Sequence, residues 1–312
     1  MKDINSINAR ILDRLSLYLN LMPDAVTKEQ LFEFAGQNAS AEQLEYAFGC
    51  LLSSYCALDT DDDADMRIFR DCFTKIPRLL DVSEYKNDEY FKLIEFPERK
   101  LGAWEFRKQK FKPCEAFLYD ETQVCPDGLL KPCIGFFTEE FEYPAVLQNG
   151  REWITVTPHE INTTKPALDA CFGNVLTYGL GFGYFTLLAS LKKNVNSVTV
   201  VELDADAVSL FKEYILPQFP DKDKVRIVNE DAFEFAADKN KSSGFDFVFA
   251  DIWHDPSDGV EMYEKFKILE NRGLGTRYCY WIEKTLKWYI AHNTQNDLSC
   301  APDANFEIFG TR

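Results

Sequence analysis

The first part of the chain places its apolar residues mainly at helical spacing. Residues 4–20 carry one apolar stripe, made up of Ile4, Ile7, Ile11, Leu15 and Leu19. Apolar residues three and four positions apart fall on one face of a helix, so this segment is predicted to be helical. Thr27 with Gln30 and Ser40 with Gln43 are capping-box pairs, in which each side chain satisfies a free backbone donor at a helix start. Two further helices are therefore predicted to begin there.

These helices belong to a predicted N-terminal, mainly helical domain over residues 1–130. Three consecutive short helices also occur in DNA-binding units, whose recognition helix needs Lys or Arg to neutralise phosphates. Residues 41–56 contain neither and carry Glu42 and Glu45 instead. The pattern favours a helical packing or dimerisation domain, through which the chain would form a homodimer.

The pattern changes to short strands over residues 131–165. Asn149-Gly150 is a dipeptide typical of tight hairpin turns, and it separates two of the predicted strands. We predict a β-hairpin connector here, with strands at 134–137, 143–147 and 152–156.

From residue 166 to residue 312, short apolar runs alternate with helical segments. The runs predicted as strands are residues 175–178, 197–201, 225–228, 245–250 and 278–282. Alternation of strands and helices is typical of an α/β fold. We predict a doubly wound, Rossmann-like, mostly parallel sheet, abbreviated at its C-terminal end because only 30 residues follow the fifth strand. A ligand pocket in such a sheet would have to be roofed by residues before position 174.

Composition narrows the classes of partner. The formal net charge of −17 opposes binding to nucleic acid or an anionic membrane, whereas a cationic small molecule is easily accommodated. The nine cysteines form no C-x-x-C pair, which is typical of reduced thiols. With no signal peptide and no apolar run of about 20 residues, the chain is expected to be cytoplasmic. Asp59 to Asp65 resembles a calcium loop, but Ala64 replaces its glycine and Arg70 its glutamate, so we predict a solvated acidic turn.

The strongest functional signal follows the first strand of the predicted sheet. Tyr178 ends an apolar run, and Gly179, Gly181 and Gly183 lead directly into a helix. This order lets backbone N–H groups approach a nucleotide-like ligand. A dinucleotide-binding motif would need glycine where this chain has Tyr184, so a different nucleoside ligand is indicated.

Carboxylates follow the later strands of the predicted sheet. Glu202 ends the second strand, where it can accept hydrogen bonds from both hydroxyls of a ribose. Asp251, His254 and Asp255 follow the fourth strand within five residues, and they are the candidate catalytic residues. A cationic amine would suit these carboxylates and the Trp253 indole between them. Asp255 precedes a proline, so the alternative interpretation is that it only initiates a turn.

Residues 136–265 resemble the class I S-adenosylmethionine (SAM) dependent methyltransferase superfamily, through the Gly179-Leu-Gly-Phe-Gly motif and the acidic residues after the next three strands. Within it, the chain is most similar to the spermidine-synthase-like branch, because a β-hairpin region ending in His159-Glu160 precedes the glycines and an Asp-rich loop follows the fourth strand. The aminopropyltransferases of that branch carry D-x-x-D-P in this loop, where this chain has one residue more between Asp251 and Asp255. Their glycine motif is G-G-G-D-G, where this chain has Gly179-Leu-Gly-Phe-Gly.

The resemblance implies SAM as the cofactor and assigns it a set of binding residues. Asp231 would accept a hydrogen bond from the adenine amino group, with helix capping as its alternative role. The residues implied to bind the cofactor are Tyr178, Gly179, Gly181, Gly183, Glu202, Asp231, Ala232 and Asp251.

Three functions follow as hypotheses. The leading one is a SAM-dependent methyltransferase acting on a small molecule or an undefined acceptor, with Asp251 or His254 orienting or deprotonating the acceptor. The second is an aminopropyltransferase that uses decarboxylated SAM and a diamine-like acceptor. The third is a nucleoside-binding regulatory protein without catalytic activity. Neither a metal nor a nucleic acid is part of any of them.

Overall fold

The structure is a computed structural model that describes residues 2–271 and 275–296. The helices in chain order are α1 (Lys2–Leu21), α2 (Lys28–Ala35), α3 (Ala41–Tyr55), α4 (Asp63–Ile68), α5 (Val82–Lys86), α6 (Glu89–Leu93), α7 (Pro158–Ala170), α8 (Tyr184–Ser190), α9 (Ala205–Leu210), α10 (Ala232–Ala237), α11 (Lys239–Ser242), α12 (Pro256–Leu269) and α13 (Glu283–Asn296). The strands are β1 (Arg78–Leu79), β2 (Arg99–Leu101), β3 (Trp104–Phe111), β4 (Phe117–Val124), β5 (Leu130–Phe136), β6 (Phe141–Gln148), β7 (Arg151–Thr155), β8 (Gly173–Tyr178), β9 (Val195–Glu202), β10 (Val225–Asn229), β11 (Phe247–Ala250) and β12 (Arg277–Tyr280). Within these described ranges, no helix combines the length and the apolar character that crossing a bilayer requires.

The N-terminal helices begin where the capping pairs predict. The Thr27 hydroxyl accepts the backbone N–H of Gln30, whose side-chain oxygen accepts the backbone N–H of Thr27. The same reciprocal pair forms between Ser40 and Gln43 at the start of α3. Ile7, Ile11 and Leu15 of the α1 stripe are buried in one hydrophobic cluster with residues of α3, so periodicity alone located this helix correctly.

The acidic segment is a solvated turn at Asp59 and Asp61, which are exposed, but not at Asp65, which lies within α4 and is buried. Asp62 caps α4 by accepting the backbone N–H groups of Ala64 and Asp65. The Asp65 side chain is only 2% exposed and forms ion pairs with Arg10 at 3.2 Å and Arg14 at 2.8 Å. The carboxylate therefore joins α4 to α1, a contact that spacing along the chain does not reveal.

Two sheets occupy the middle of the chain, one antiparallel and one mixed. One has the order β2-β3-β6-β7 and the other the order β1-β5-β4, in which β1 pairs parallel to β5. The predicted hairpin turn joins β6 and β7, with Asn149 at φ +55° and Gly150 at φ +83°. Residues 99–124 were predicted within a mainly helical region, but they form strands that pair with β5 and β6 beyond residue 130. The helix α7 follows the hairpin, and the strand pattern did not predict it.

The third sheet is parallel throughout and confirms the predicted α/β class. Its order is β10-β9-β8-β11-β12, so the chain runs outward from β8 to β10 and then crosses to β11 on the other side. The strand order reverses between β8 and β11. Ligands bind at such a reversal, outside the carboxyl ends of the strands.

Candidate functional site

A cavity of about 550 Å³ lies at the reversal between β8 and β11. Its floor is formed by residues that follow the carboxyl ends of β8, β9, β10 and β11. Trp153, Ile154 and Thr155 of β7 form part of its roof, together with Trp104 of β3 and Glu160 of α7. The roof therefore comes from residues before position 174, as the sequence predicts. The volume lies within the range of about 300–1,000 Å³ that holds small ligands.

The three glycines of the turn have different roles. Gly179 has φ +94°, and a Cβ atom there would lie 1.9 Å from the carbonyl oxygen of Asp251. Gly181 lines the cavity, and the nearest described atom to its Cβ position is Ile154 Cδ1 at 3.7 Å. Gly183 is the N-cap of α8 in a left-handed conformation, and it packs against Phe211 outside the cavity.

Tyr178 was predicted to bind the ligand, but the structure places its side chain in the core. The ring is 2% exposed and packs against Phe266 at 4.9 Å and Phe235 at 6.1 Å between ring centroids. Side chains alternate between the faces of a strand, and at Tyr178 the alternation directs the ring away from the cavity. The Tyr178 carbonyl instead accepts the backbone N–H of Asp251.

Glu202 lies at the end of β9 and connects two segments of the floor. One carboxylate oxygen accepts the backbone N–H of Leu180 at 3.1 Å, and the other accepts that of Asp204 at 2.8 Å. Burial raises the pKa of Glu202, although these backbone donors oppose the rise. The side chain lines the cavity beside the glycine turn, where the sequence expected a ribose-binding group.

Asp231 and Ala232 follow β10 and both line the cavity. One oxygen of Asp231 accepts the backbone N–H groups of Phe233 and Glu234 at 2.8 and 2.9 Å, which caps α10. A carboxylate has a second oxygen, so capping and ligand recognition are compatible at this position.

Two carboxyl groups of the cavity interact electrostatically, Glu160 in the roof and Asp251 in the floor. Burial raises the pKa of Asp251 to about 7, and the neighbouring His254 moderates the rise. Burial also raises the pKa of Glu160, and the charge of Asp251 raises it further. Glu160 belongs to α7. The sequence predicted no site role for it, and it appeared there only in the His159-Glu160 pair that supports the family resemblance. Its place in the cavity depends on how α7 packs, which no local pattern reports.

His254 and Asp255 occupy different positions from each other. His254 lines the cavity, and its Nδ1 atom lies 3.2 Å from a carboxylate oxygen of Asp258. Burial opposes ionisation of Asp258, but hydrogen bonds from His254 and from backbone N–H groups lower its pKa. Asp255 lies outside this cavity and caps α12 through Ser257. Asp255 was predicted as a catalytic residue or a turn residue, and the structure places it as the N-cap of α12.

Two residues at the start of α6, Asp88 and Tyr90, also position the glycine turn. The Tyr184 hydroxyl donates to the Asp88 carboxylate at 3.0 Å. The Tyr90 hydroxyl donates to the Phe182 carbonyl at 3.0 Å. Burial raises the pKa of Asp88, so its hydrogen bond to Tyr184 is made away from bulk water. The aromatic residues Phe182 and Tyr184 thus anchor the turn to α6.

Comparisons with known proteins agree with the resemblance at domain level. Residues 174–270 match the family model of the spermine/spermidine synthase domain. Among solved structures, spermidine synthase from Thermotoga maritima aligns with a TM-score of 0.33 and 14% identity, covering 45% of this chain and 53% of that one. A sequence search of curated proteins found no match.

The domain match confirms the resemblance to the spermidine-synthase-like branch and supports a transferase. It also corrects two predictions. Methyl transfer was the leading functional prediction and is wrong, because the match favours the alternative of aminopropyl transfer. The prediction of SAM as a cofactor is wrong for the same reason, because spermidine synthases consume decarboxylated SAM as a substrate.

Proposed function

We propose that this chain is an aminopropyltransferase that transfers the aminopropyl group of decarboxylated SAM to an amine. The observation that carries the proposal is the pair of carboxylates, Asp251 and Glu160, on the wall of the cavity beside the glycine turn. The match of residues 174–270 to the spermine/spermidine synthase domain supports it independently.

The cavity offers suitable partners for the nucleoside part of the donor. Glu202 would accept hydrogen bonds from the ribose hydroxyls, and Asp231 would accept one from the adenine amino group. Gly181 leaves room for the ligand to approach the backbone of the turn. The two residues already hold backbone donors, so they are oriented before the ligand arrives.

Charge favours decarboxylated SAM over SAM. The decarboxylated molecule carries a sulfonium and an ammonium group, and it lacks the carboxylate of SAM. Glu160, Glu202 and Asp251 line one cavity. Burial raises the pKa of each, and a bound cation favours their ionised forms, which attract the two cations and repel a carboxylate.

The chemical step is a nucleophilic displacement at the carbon of the aminopropyl chain that is bonded to sulfur. A neutral acceptor nitrogen forms the new C–N bond, while the C–S bond breaks and its electron pair remains on sulfur. The donor thereby becomes the neutral thioether 5′-methylthioadenosine. The acceptor nitrogen passes its extra proton to a base, and Asp251 would serve because its pKa of about 7 permits both protonation states near neutrality.

The protein would contribute mainly by positioning the reactants. Holding two reactants in near-attack geometry is worth up to about 7–11 kcal/mol of the barrier. Aromatic walls support this role, because Trp104, Phe185 and Trp281 also line the cavity. These walls would displace water around a bound ligand, which strengthens the attraction between its cations and the carboxylates.

Incubation with decarboxylated SAM and 1,4-diaminobutane tests the proposal. Mass spectrometry should detect 5′-methylthioadenosine and an aminopropylated amine in equal amounts. Asp251→Asn should lower kcat by at least about 100-fold, the range of a general base. Glu264→Gln, a change of an exposed carboxylate on α12, should leave kcat unchanged. No aminopropylated product with any primary amine, or methyl transfer from SAM instead, would overturn the proposal.

A further inference from the structure

A further cavity of about 560 Å³ lies where the N-terminal part of the chain meets helix α13, and we call it the α13 cavity. Its walls come from α1, β4 and β5 on one side, and from the starts of α7 and α12 and the first half of α13 on the other. None of the described residues that line it also lines the nucleoside cavity. Its volume lies within the range of about 300–1,000 Å³ that holds small ligands. The α13 cavity is therefore a separate space with room for a ligand.

The strand β4 is irregular where it borders the α13 cavity. Its pairing with β5 shifts register between Leu118 and Asp120, and again between Asp120 and Gln123. The five consecutive residues 120–124 all line the cavity. Successive side chains of a regular strand point to opposite faces, whereas bulges redirect side chains and are common beside functional sites. The irregular pairing thus lets one continuous stretch of β4 border the cavity.

The wall formed by α13 is held in place by contacts within the protein. One carboxylate oxygen of Glu121 accepts the Thr285 backbone N–H at 3.1 Å and the Thr285 hydroxyl at 2.9 Å, which joins β4 to the first turn of α13. The Trp288 ring stacks on His292, with centroids 4.1 Å apart and 23° between the ring planes. The Tyr289 ring meets that of Trp288 edge to face at 5.2 Å. Such contacts fix the orientation of the rings before a ligand binds.

Negative charge predominates among the polar residues of the α13 cavity. Asp120 and Glu121 provide two carboxylates, and Lys284, which is exposed, provides one ammonium group. Burial lowers the pKa of His159 to about 4, so this lining imidazole is neutral near pH 7. Asp120 Oδ1 accepts the Glu121 backbone N–H at 2.8 Å, and a carboxylate has a second oxygen that can accept from a ligand cation. The cavity therefore favours a cation over an anion.

The rest of the lining favours a ring over a linear chain with several charges. Trp288 and Tyr289 supply aromatic surface, and His292 stacks on one face of the Trp288 indole. A ligand ring can stack on the opposite face. The remaining apolar wall is aliphatic and consists of Leu12, Leu118, Val124, Leu130 and Ile282. A bicyclic aromatic ring with a single ammonium group matches the apolar surface, the volume and the charge.

We propose that the α13 cavity is a second ligand site, which binds an aromatic monoamine. The ring packs on Trp288 and the aliphatic wall, and the ammonium group lies beside Asp120. Because the walls come from both ends of the chain, the bound ligand holds α13 against β4. The proposal goes beyond aminopropyl transfer and does not depend on it.

Tryptamine, which joins an indole ring to one ammonium group, is the probe. Titration calorimetry on the full chain should show saturable binding with a dissociation constant below about 1 mM. The dissociation constant should be the same with and without 5′-methylthioadenosine, because the two cavities share no described lining residue. Indole, which has the ring and lacks the ammonium group, should bind more weakly.

Two variants locate the probe in the α13 cavity. Trp288→Ala should raise the dissociation constant of tryptamine at least about tenfold, and Trp288→Phe, which keeps a ring, should raise it less. Asp120→Asn should weaken the binding of tryptamine and leave that of indole unchanged, because only the cation interacts with the carboxylate. Tyr46→Ala is the control, because Tyr46 is 53% exposed and lines none of the three described cavities. It should bind tryptamine like the unsubstituted chain.

The outcomes separate this inference from the proposed function. No saturable binding of tryptamine would overturn the site, and so would binding that neither Trp288→Ala nor Asp120→Asn weakens. If Trp288→Ala does not fold, Asp120→Asn decides alone, and equal weakening of tryptamine and indole in that variant would overturn the role of Asp120. Aminopropyl transfer by a chain that does not bind tryptamine would leave the proposed function standing.

Discussion

Gly179 lies directly against the backbone of Asp251, so that a Cβ atom at position 179 would lie 1.9 Å from the Asp251 carbonyl oxygen. The contact brings together the carboxyl ends of β8 and β11, whose backbones are also joined by the hydrogen bond from the Asp251 N–H to the Tyr178 carbonyl at 2.9 Å. The glycine turn and the principal candidate base are therefore parts of one rigid junction. Its glycine is required by the backbone that follows the neighbouring strand.

We expect Gly179→Ala to destabilise the chain and to weaken nucleoside binding. The added methyl group must displace the Asp251 backbone, and a left-handed conformation costs a non-glycine residue roughly 1–2 kcal/mol in addition. Gly244→Ala is the matched control, because Gly244 has φ +86° and no described atom within 4 Å of its Cβ position. Urea unfolding should show a larger loss for Gly179→Ala than for the control. Equal losses would mean that the strand ends can separate at no cost.

Glu202→Gln should lower the affinity for 5′-methylthioadenosine. The amide replaces one acceptor oxygen of the side chain with an NH2 group, which is a donor. This NH2 group then lies where Glu202 accepted a hydrogen bond, either from a backbone N–H or from a ribose hydroxyl. A lost hydrogen bond to a charged group is worth about 1.5–3 kcal/mol, so the dissociation constant should rise by at least about tenfold. Titration calorimetry measures it, with Glu230→Gln beside the end of β10 as the control. Unchanged affinity in Glu202→Gln would place the ribose elsewhere.

The rate of aminopropyl transfer should rise with pH through about 7. Asp251 accepts a proton only in its ionised form, and its raised pKa of about 7 delays ionisation to that range. A profile of kcat against pH should show this limb in the unsubstituted chain. In Asp251→Asn the limb should disappear along with most of the activity. If the residual activity of Asp251→Asn still rises with pH around the same midpoint, the titrating group is not Asp251.

The same group predicts how stability depends on pH. The folded-state pKa of Asp251 lies above the ordinary value of 3.8, so folding favours the protonated form. Its stabilising effect is complete below the unfolded-state pKa and is lost as pH rises through about 7.

Asp251→Asn removes that loss, so it should raise the melting temperature at pH 8 more than at pH 4. The shift should be about 2–4 °C for each kcal/mol recovered. Glu264→Gln should show no such pH difference. Equal shifts of Asp251→Asn at both pH values would contradict a raised pKa.

Asp65→Asn should destabilise the N-terminal helices without affecting the nucleoside site. Removing one member of a buried ion pair leaves the others uncompensated, which costs roughly 3–5 kcal/mol. We expect the lower end of that range, because the Arg10 and Arg14 side chains are 42% and 28% exposed. Asp61→Asn changes an exposed carboxylate of the same segment and is the control. A free energy of unfolding equal in the two variants would show that the ion pairs add nothing.

Local patterns identified the elements of the molecule well where short-range physics determines them. The capping pairs at Thr27 and Ser40 and the turn at Asn149-Gly150 involve hydrogen bonds between near neighbours, and all three occur as predicted. The strands within residues 99–124 were not predicted, because their partner strands β5 and β6 lie later in the chain. A strand without a clear period is recognised only through such partners.

The candidate site shows the same division. The positions of Glu202, Asp231 and Asp251 follow from strand ends, since the carboxyl ends of parallel strands meet at one edge of a sheet. The direction of Tyr178 into the core and the arrival of Glu160 in the roof depend on packing between elements. The choice between methyl and aminopropyl transfer also lay beyond the motif, because both chemistries use similar nucleoside contacts.

By itself, the sequence determined the α/β class, the glycine turn and the carboxylates that follow its strands. Each depends on residues within a few positions of one another, or on a strand order that alternation with helices imposes. Only the tertiary structure decided that Asp251 abuts Gly179 and that the charge of Asp251 acts on Glu160. These contacts join residues from separate elements, and the raised pKa values of Asp251 and Glu160 arise only when folding removes these carboxyl groups from water.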